Sequence, residues 1–145
     1  MLKVVFDTNV YISALITKGG KGEEAYLLAI EKKIKLFTSI SILTETAKKL
    51  REKFQWDDEN IRLAVKHISR VAGVVNPTTK INLLKDKPDN RILECAKEAG
   101  ADFIVTGDKP SSRFTELRRN RDNQNFRYIE KNQRSVATNY TDFPN

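Results

Sequence analysis

Cysteine, histidine and long apolar runs are what this 145-residue chain has least of. One cysteine, Cys95, cannot close an internal disulfide, and with a single histidine, His67, there is no Cys or His cluster for zinc. Any metal bound here is therefore held by oxygen. Unbroken apolar stretches are only a few residues long, far short of the roughly 20 needed to span a bilayer. The N-terminus also lacks the basic, apolar and small-residue order of a signal peptide. These absences lead us to expect a soluble, cytoplasmic protein. No internal repeat is visible, and no glycine-rich phosphate loop follows the first strand candidate, which weakens a nucleotide-binding α/β reading.

Positive charge, by contrast, is in excess. The formal net charge is +7, and residues 109–145 hold eight Lys or Arg against four Asp or Glu, more than half of that excess. Such a balance favours an anionic partner, because basic side chains displace counterions from phosphates. The length fits one ordinary domain. We expect it over residues 1–131, with closing elements after 109 that depart from the earlier pattern, and a weakly ordered polar tail over 132–145.

Alternating strand and helix signals run through the first three quarters of the chain. Residues 2–6 read as a buried strand, 8–16 as a short helix, 18–22 as a break, 23–33 as a second helix and 35–39 as a second strand. Ser41 is the expected cap of a helix through Lys53, and Asp57 or Asp58 opens an amphipathic helix ended by Gly73. Val74 and Val75 begin a third strand stopped by Pro77. Pro88 suits the first turn of a helix over 89–99, closed by Gly100, and 102–106 is the fourth strand. The order predicts a parallel sheet with helices on its faces. After Asp108 the apolar signal thins, leaving room for a short helix and a strand near Phe126 to Ile129.

Four carboxylates fall at informative places in that pattern. Asp7 leaves the C-terminal end of the first strand, the edge at which open parallel sheets bind ligands. Asp108 follows the fourth strand, while Glu45 and Asp89 lie near the starts of helices that return from the same edge. Ionised carboxylates disfavour one another, so their convergence calls for a cation, and an all-oxygen set suits Mg2+ or Mn2+. Asn9 and Ser13 on the first helix, and Thr106 on the fourth strand, are placed to orient ligands or phosphate. Singly each carboxylate has an ordinary explanation, as a turn, a cap or a solvated helix face. Their combination is the signal.

VVFDTNVYISAL, Glu45 within SILTETAKKL, PDNRILECA and DFIVTGDK, taken in that order, resemble the PIN-domain family over residues 1–109. The resemblance implies a three-layer α/β/α sandwich around a central parallel sheet and a Mg2+- or Mn2+-dependent endoribonuclease site. Asp7, Glu45, Asp89 and Asp108 match its acidic positions, Asn9 the polar position after the first aspartate, and Thr106 the hydroxyl of the last motif. Asp86 is an extra carboxylate that we read as a loop cap. Small prokaryotic members resemble VapC-like toxins of toxin–antitoxin pairs, which implies RNA as substrate, a homodimer and an antitoxin protein as partner. After Lys109 the chain departs from the family pattern of a short apolar helix, a strand and a closing helix.

Other residues invite roles that simpler explanations cover. His67 lies mid-helix without a ligand partner nearby, and Cys95 reads as a small core residue. Trp56 suits a helix-entry contact better than base stacking. Lys48, Lys49, Arg51 and Lys53 complement the negative end of a helix and receive no site role. Arg118, Arg119, Arg121, Arg127, Lys131 and Arg134, interleaved with Phe126 and Tyr128, are as compatible with single-stranded RNA as with a solvated tail. The competing functional classes are a non-catalytic RNA-binding or antitoxin-binding module and an RNA-processing nuclease outside a toxin pair.

Overall fold

The computed structural model describes residues 1–82, 87–107, 114–119, 126–130 and 138–139, and the side chains of 1–82 and 90–106. Strand β1 (Lys3–Phe6) leads into α1 (Thr8–Ile16) and α2 (Lys21–Ile30), followed by β2 (Lys35–Ser39), α3 (Ile40–Phe54), α4 (Asp58–Val71) and β3 (Gly73–Val75). Helix α5 (Lys87–Ala99) and β4 (Phe103–Gly107) complete the alternating part, and β5 (Phe114–Arg119), β6 (Phe126–Glu130) and β7 (Thr138–Asn139) follow.

The sheet order is β3-β2-β1-β4-β5-β6-β7. The first four positions are parallel, with Val4 opposite Leu36 on one side and Phe103 on the other. Strands β5 to β7 extend the β4 side antiparallel. The chain steps outward from β1 to β2 to β3 and then crosses back to lay β4 on the opposite side of β1. Right-handed crossovers put helices from outward and return steps on opposite faces. Accordingly α5 packs against β1, β2, β3 and β4, whereas α1, α3 and α4 pack against one another as well as the sheet. This is the expected three-layer α/β/α sandwich. Between β1 and β4 the direction of winding reverses, the place at which open α/β sheets generally bind ligands in a crevice outside the strand ends.

Burial explains the short strands. Val4, Val5 and Phe6 are all buried, as a strand covered on both faces requires, and Leu36 and Ile104 continue the core on either side. A second cluster of Ile12, Leu50 and Ile61 joins α1, α3 and α4, with Trp56 packed against it. Trp56 directly precedes the Asp57 cap of α4, and Ile61 sits one turn inside, so the pair fixes the helix entry as a hydrophobic staple does.

Two local expectations change. Helix α3 starts earlier than Ser41: Ser39, still at the end of β2, is the cap, and its hydroxyl accepts the Ile42 N–H at 3.3 Å. A strand residue can cap a helix when the chain turns without a loop. In place of a short helix before Phe126, the described residues form β5, paired antiparallel with β4 from Phe103–Arg118 to Gly107–Phe114. An open edge of β4 would leave backbone donors and acceptors unpaired, and β5 satisfies them. Among the described residues no helix is long and apolar enough to cross a membrane.

Candidate active site at the β1–β4 strand ends

Asp7 stands at the reversal of winding. It leaves β1 with φ −75° and ψ 171°, an extended conformation, and its side chain caps α1 by accepting the Val10 N–H at 3.0 Å. Its own N–H donates to the Val105 carbonyl at 3.1 Å, tying the corner to β4. Aspartate is among the side chains a helix N-terminus favours, so the turn from strand to helix is locally encoded. Thr106, the next residue of β4, lies beside Asp7 because Phe6 and Val105 are register partners. Asp7 as a whole is 8% exposed, buried at the strand end rather than spread on the surface.

Helix α3 approaches from the other side. Lys49 crosses to the first turn of α1, where its ammonium donates to Thr8 Oγ1 at 2.9 Å and to Asn9 Oδ1 at 3.4 Å. Glu45 is half-buried one turn earlier on α3, and side chains four apart share a helix face. The face that carries Glu45 therefore turns toward the Asp7 corner. Thr8 and Lys49 had no assigned part in the sequence, although the spacing of Lys49 from Glu45 is a signal that could have found it.

Asp89 belongs to the first turn of α5, but its side chain, and all of Asp86 and Asp108, lie outside the described residues. Among the described residues no group of three or more His, Cys, Asp or Glu side chains is close enough to hold a metal ion. The donors that are described, Asp7 and Glu45, are hard oxygen ligands, the chemistry that Mg2+ and Mn2+ prefer. Ser13 lies farther along α1 against Gly22 of α2: a Cβ on that glycine would come within 2.9 Å of the Ser13 hydroxyl.

The residues that invited simpler explanations receive them. Cys95 is fully buried, and burial pushes its thiol up to about 12, with a hydrogen bond to Ser39 working in the opposite direction. A thiol so shifted is no nucleophile at neutral pH. His67 is exposed on α4 and shares a 2.7 Å hydrogen bond with the Tyr26 hydroxyl. Trp56 is half-buried in the second core cluster. The side chains of the basic region from Arg118 to Arg134 lie outside the described ones.

A family model described as PIN domain matches residues 3–110. The chain is also 40% identical over 113 residues to the uncharacterized protein MJ1680 of Methanocaldococcus jannaschii, an alignment covering 74% of this chain and 72% of that protein.

Proposed function

The chain belongs to the PIN-domain family, and from that membership we propose that it is a metal-dependent endoribonuclease that hydrolyses RNA phosphodiester bonds. PIN domains are in general metal-dependent nucleases. The observation that carries the assignment here is the Asp7 corner, a buried aspartate at the reversal of winding whose carboxylate accepts the Val10 N–H and whose own N–H donates to the Val105 carbonyl, with Thr106 beside it. Asp7, Glu45, Asp89 and Asp108 would hold Mg2+ or Mn2+, and such an ion supplies water activation and neutralisation of phosphate charge. Asp7 is oriented for that task by its cap bond. Asn9 and Thr106 flank it as groups that position water or phosphate, with Ser13 in support. In cellular terms we favour the toxin of a toxin–antitoxin pair, working as a homodimer restrained by an antitoxin protein.

Asp7→Asn tests the assignment cleanly, because asparagine caps a helix about as well as aspartate and the fold should survive. A structured RNA pool is incubated with folded wild type or variant in Mg2+, Mn2+ or EDTA. Metal-dependent cutting that falls at least about a hundredfold in the variant is the expected result, more than removal of a typical outer-shell partner costs. Cutting that persists in EDTA, or that the variant retains, overturns the assignment. A folded wild type that binds RNA without cutting it supports the binding-module alternative.

A further inference from the structure

Lys49 is placed unlike the other lysines of its helix. It is partly buried, and its ammonium bridges from α3 to Thr8 and Asn9, the two residues that directly follow Asp7. Both acceptors are neutral. Among the described residues no carboxylate forms an ion pair with it, whereas nearby Arg51 pairs with Asp58 at 2.7 Å. Withdrawing an ammonium partly from water costs free energy unless something compensates, and two neutral oxygens compensate less than a carboxylate does. A lysine carries three donors, and only two of Lys49's are engaged by these contacts.

We propose that Lys49 is a substrate-positioning residue that binds a non-bridging phosphate oxygen of single-stranded RNA next to Asp7 and Glu45. The proposal rests on the nuclease assignment of this strand edge. Its charge complements the strand that must enter the crevice: the acidic positions repel a phosphodiester, and a fixed cation one helical turn from Glu45 draws it back into register. Thr8 and Asn9 then serve as a rest that holds the ammonium at the mouth of the site before RNA arrives. A purely structural lysine, tethering α3 to α1, would show itself in stability alone.

The two roles separate in binding. Affinity of the full-length protein for a fluorescently labelled, mixed-sequence single-stranded RNA is measured in EDTA across a range of KCl concentrations. Wild type, Lys49→Gln, Lys49→Arg and the exposed-surface control Lys66→Gln are compared. Lys49→Gln is expected to weaken binding about tenfold, as loss of a charge-assisted hydrogen bond does. It should also flatten the plot of log affinity against log salt by about 0.7, the contribution of one phosphate contact on a single strand. Lys49→Arg should restore most of both, and Lys66→Gln should change neither comparably. Affinity and salt slope in Lys49→Gln equal to those of Lys66→Gln overturn the proposal, even if melting temperature falls, and so does a folded wild type without measurable RNA binding. Cleavage in Mn2+ distinguishes the two assignments. Wild-type cutting with unchanged KM in Lys49→Gln removes Lys49 alone, whereas absence of cutting with the binding signature intact removes the nuclease assignment and leaves the phosphate contact.

Discussion

Asp7 and Glu94 are almost equally hidden, at 8% and 7% exposure, yet they stand in different surroundings. Glu94, in α5, closes a clasp. One carboxylate oxygen accepts the Ile81 N–H at 2.7 Å, the other pairs with Arg91 at 2.9 Å, and Arg91 in turn donates to the Ile81 carbonyl at 2.9 Å. The loop that leads from β3 toward α5 is strapped down by charge whose partners are all internal. Asp7 has an internal bond as well, to Val10, but it stands at a strand end where the winding reverses and a lysine from another helix approaches its neighbours. Burial alone does not tell the two carboxylates apart; their places in the topology do.

Mutations at the two places should therefore fail differently. Glu94→Ala removes the charge that pairs with Arg91 and accepts the Ile81 N–H, and should cost about 2–4 kcal/mol, the range for breaking a largely buried pair. Urea unfolding reads the loss, while activity per folded molecule should hold. A stability loss below about 1 kcal/mol would mean that the clasp is dispensable.

The joint between α1 and α2 offers a second place to perturb the scaffold. Gly22→Ala would drive a Cβ to 2.8 Å from the Ala14 backbone nitrogen and the Ser13 Cβ. Backbone cannot retreat as a side-chain tip can, so about 1–3 kcal/mol should be lost. If RNA cleavage per folded molecule falls too, α2 contributes to positioning α1, and the separation between scaffold and site is less sharp than the carboxylate pair suggests.

Cys95 lies on α5 one residue beyond the clasp, and its response to pH tests how dry that layer is. Burial raises the thiol from an ordinary 9.0 to about 12. The folded protein thus holds a proton that the unfolded chain releases, and the resulting stability is complete below pH 9 and lost as pH rises through 12. Comparison with Cys95→Ala isolates it, since the buried tyrosines titrate in both proteins. The advantage of wild type should shrink by about 1 kcal/mol between pH 9 and 10. A constant gap would mean that water reaches the thiol. The smallest stability effect belongs to Asp7→Asn, about 0.5 kcal/mol or less because the cap is retained. A larger loss would make Asp7 as structural as Glu94 and narrow the contrast.

Much of the fold was legible because its signals are local. Residues 8–16 and 35–39 form the helix and strand that their apolar patterns predict, and Asp57 caps α4 as expected. The start of α3 was misplaced at Ser41 because Ser39 and Ser41 are equally good caps in isolation, and only the strand end chooses between them. Residues 114–119 carry too few apolar side chains to announce a strand. Their pairing depends on β4, a partner outside the local window.

The corner around Asp7 shows where local information ends. That an aspartate follows a buried strand and opens a helix was written in the order of residues 2–16, because strand period and helix capping act over a few neighbours. That this aspartate lies beside Thr106, and that Lys49 rests on Thr8 and Asn9, was decided by a chain that crosses back over its own sheet and by α3 packing on α1. A lysine near a helix end looks the same in sequence whether it faces water or a neighbouring helix. Its partners are about forty residues away, and only the packing of the intervening strand and helices brings them within 3.4 Å.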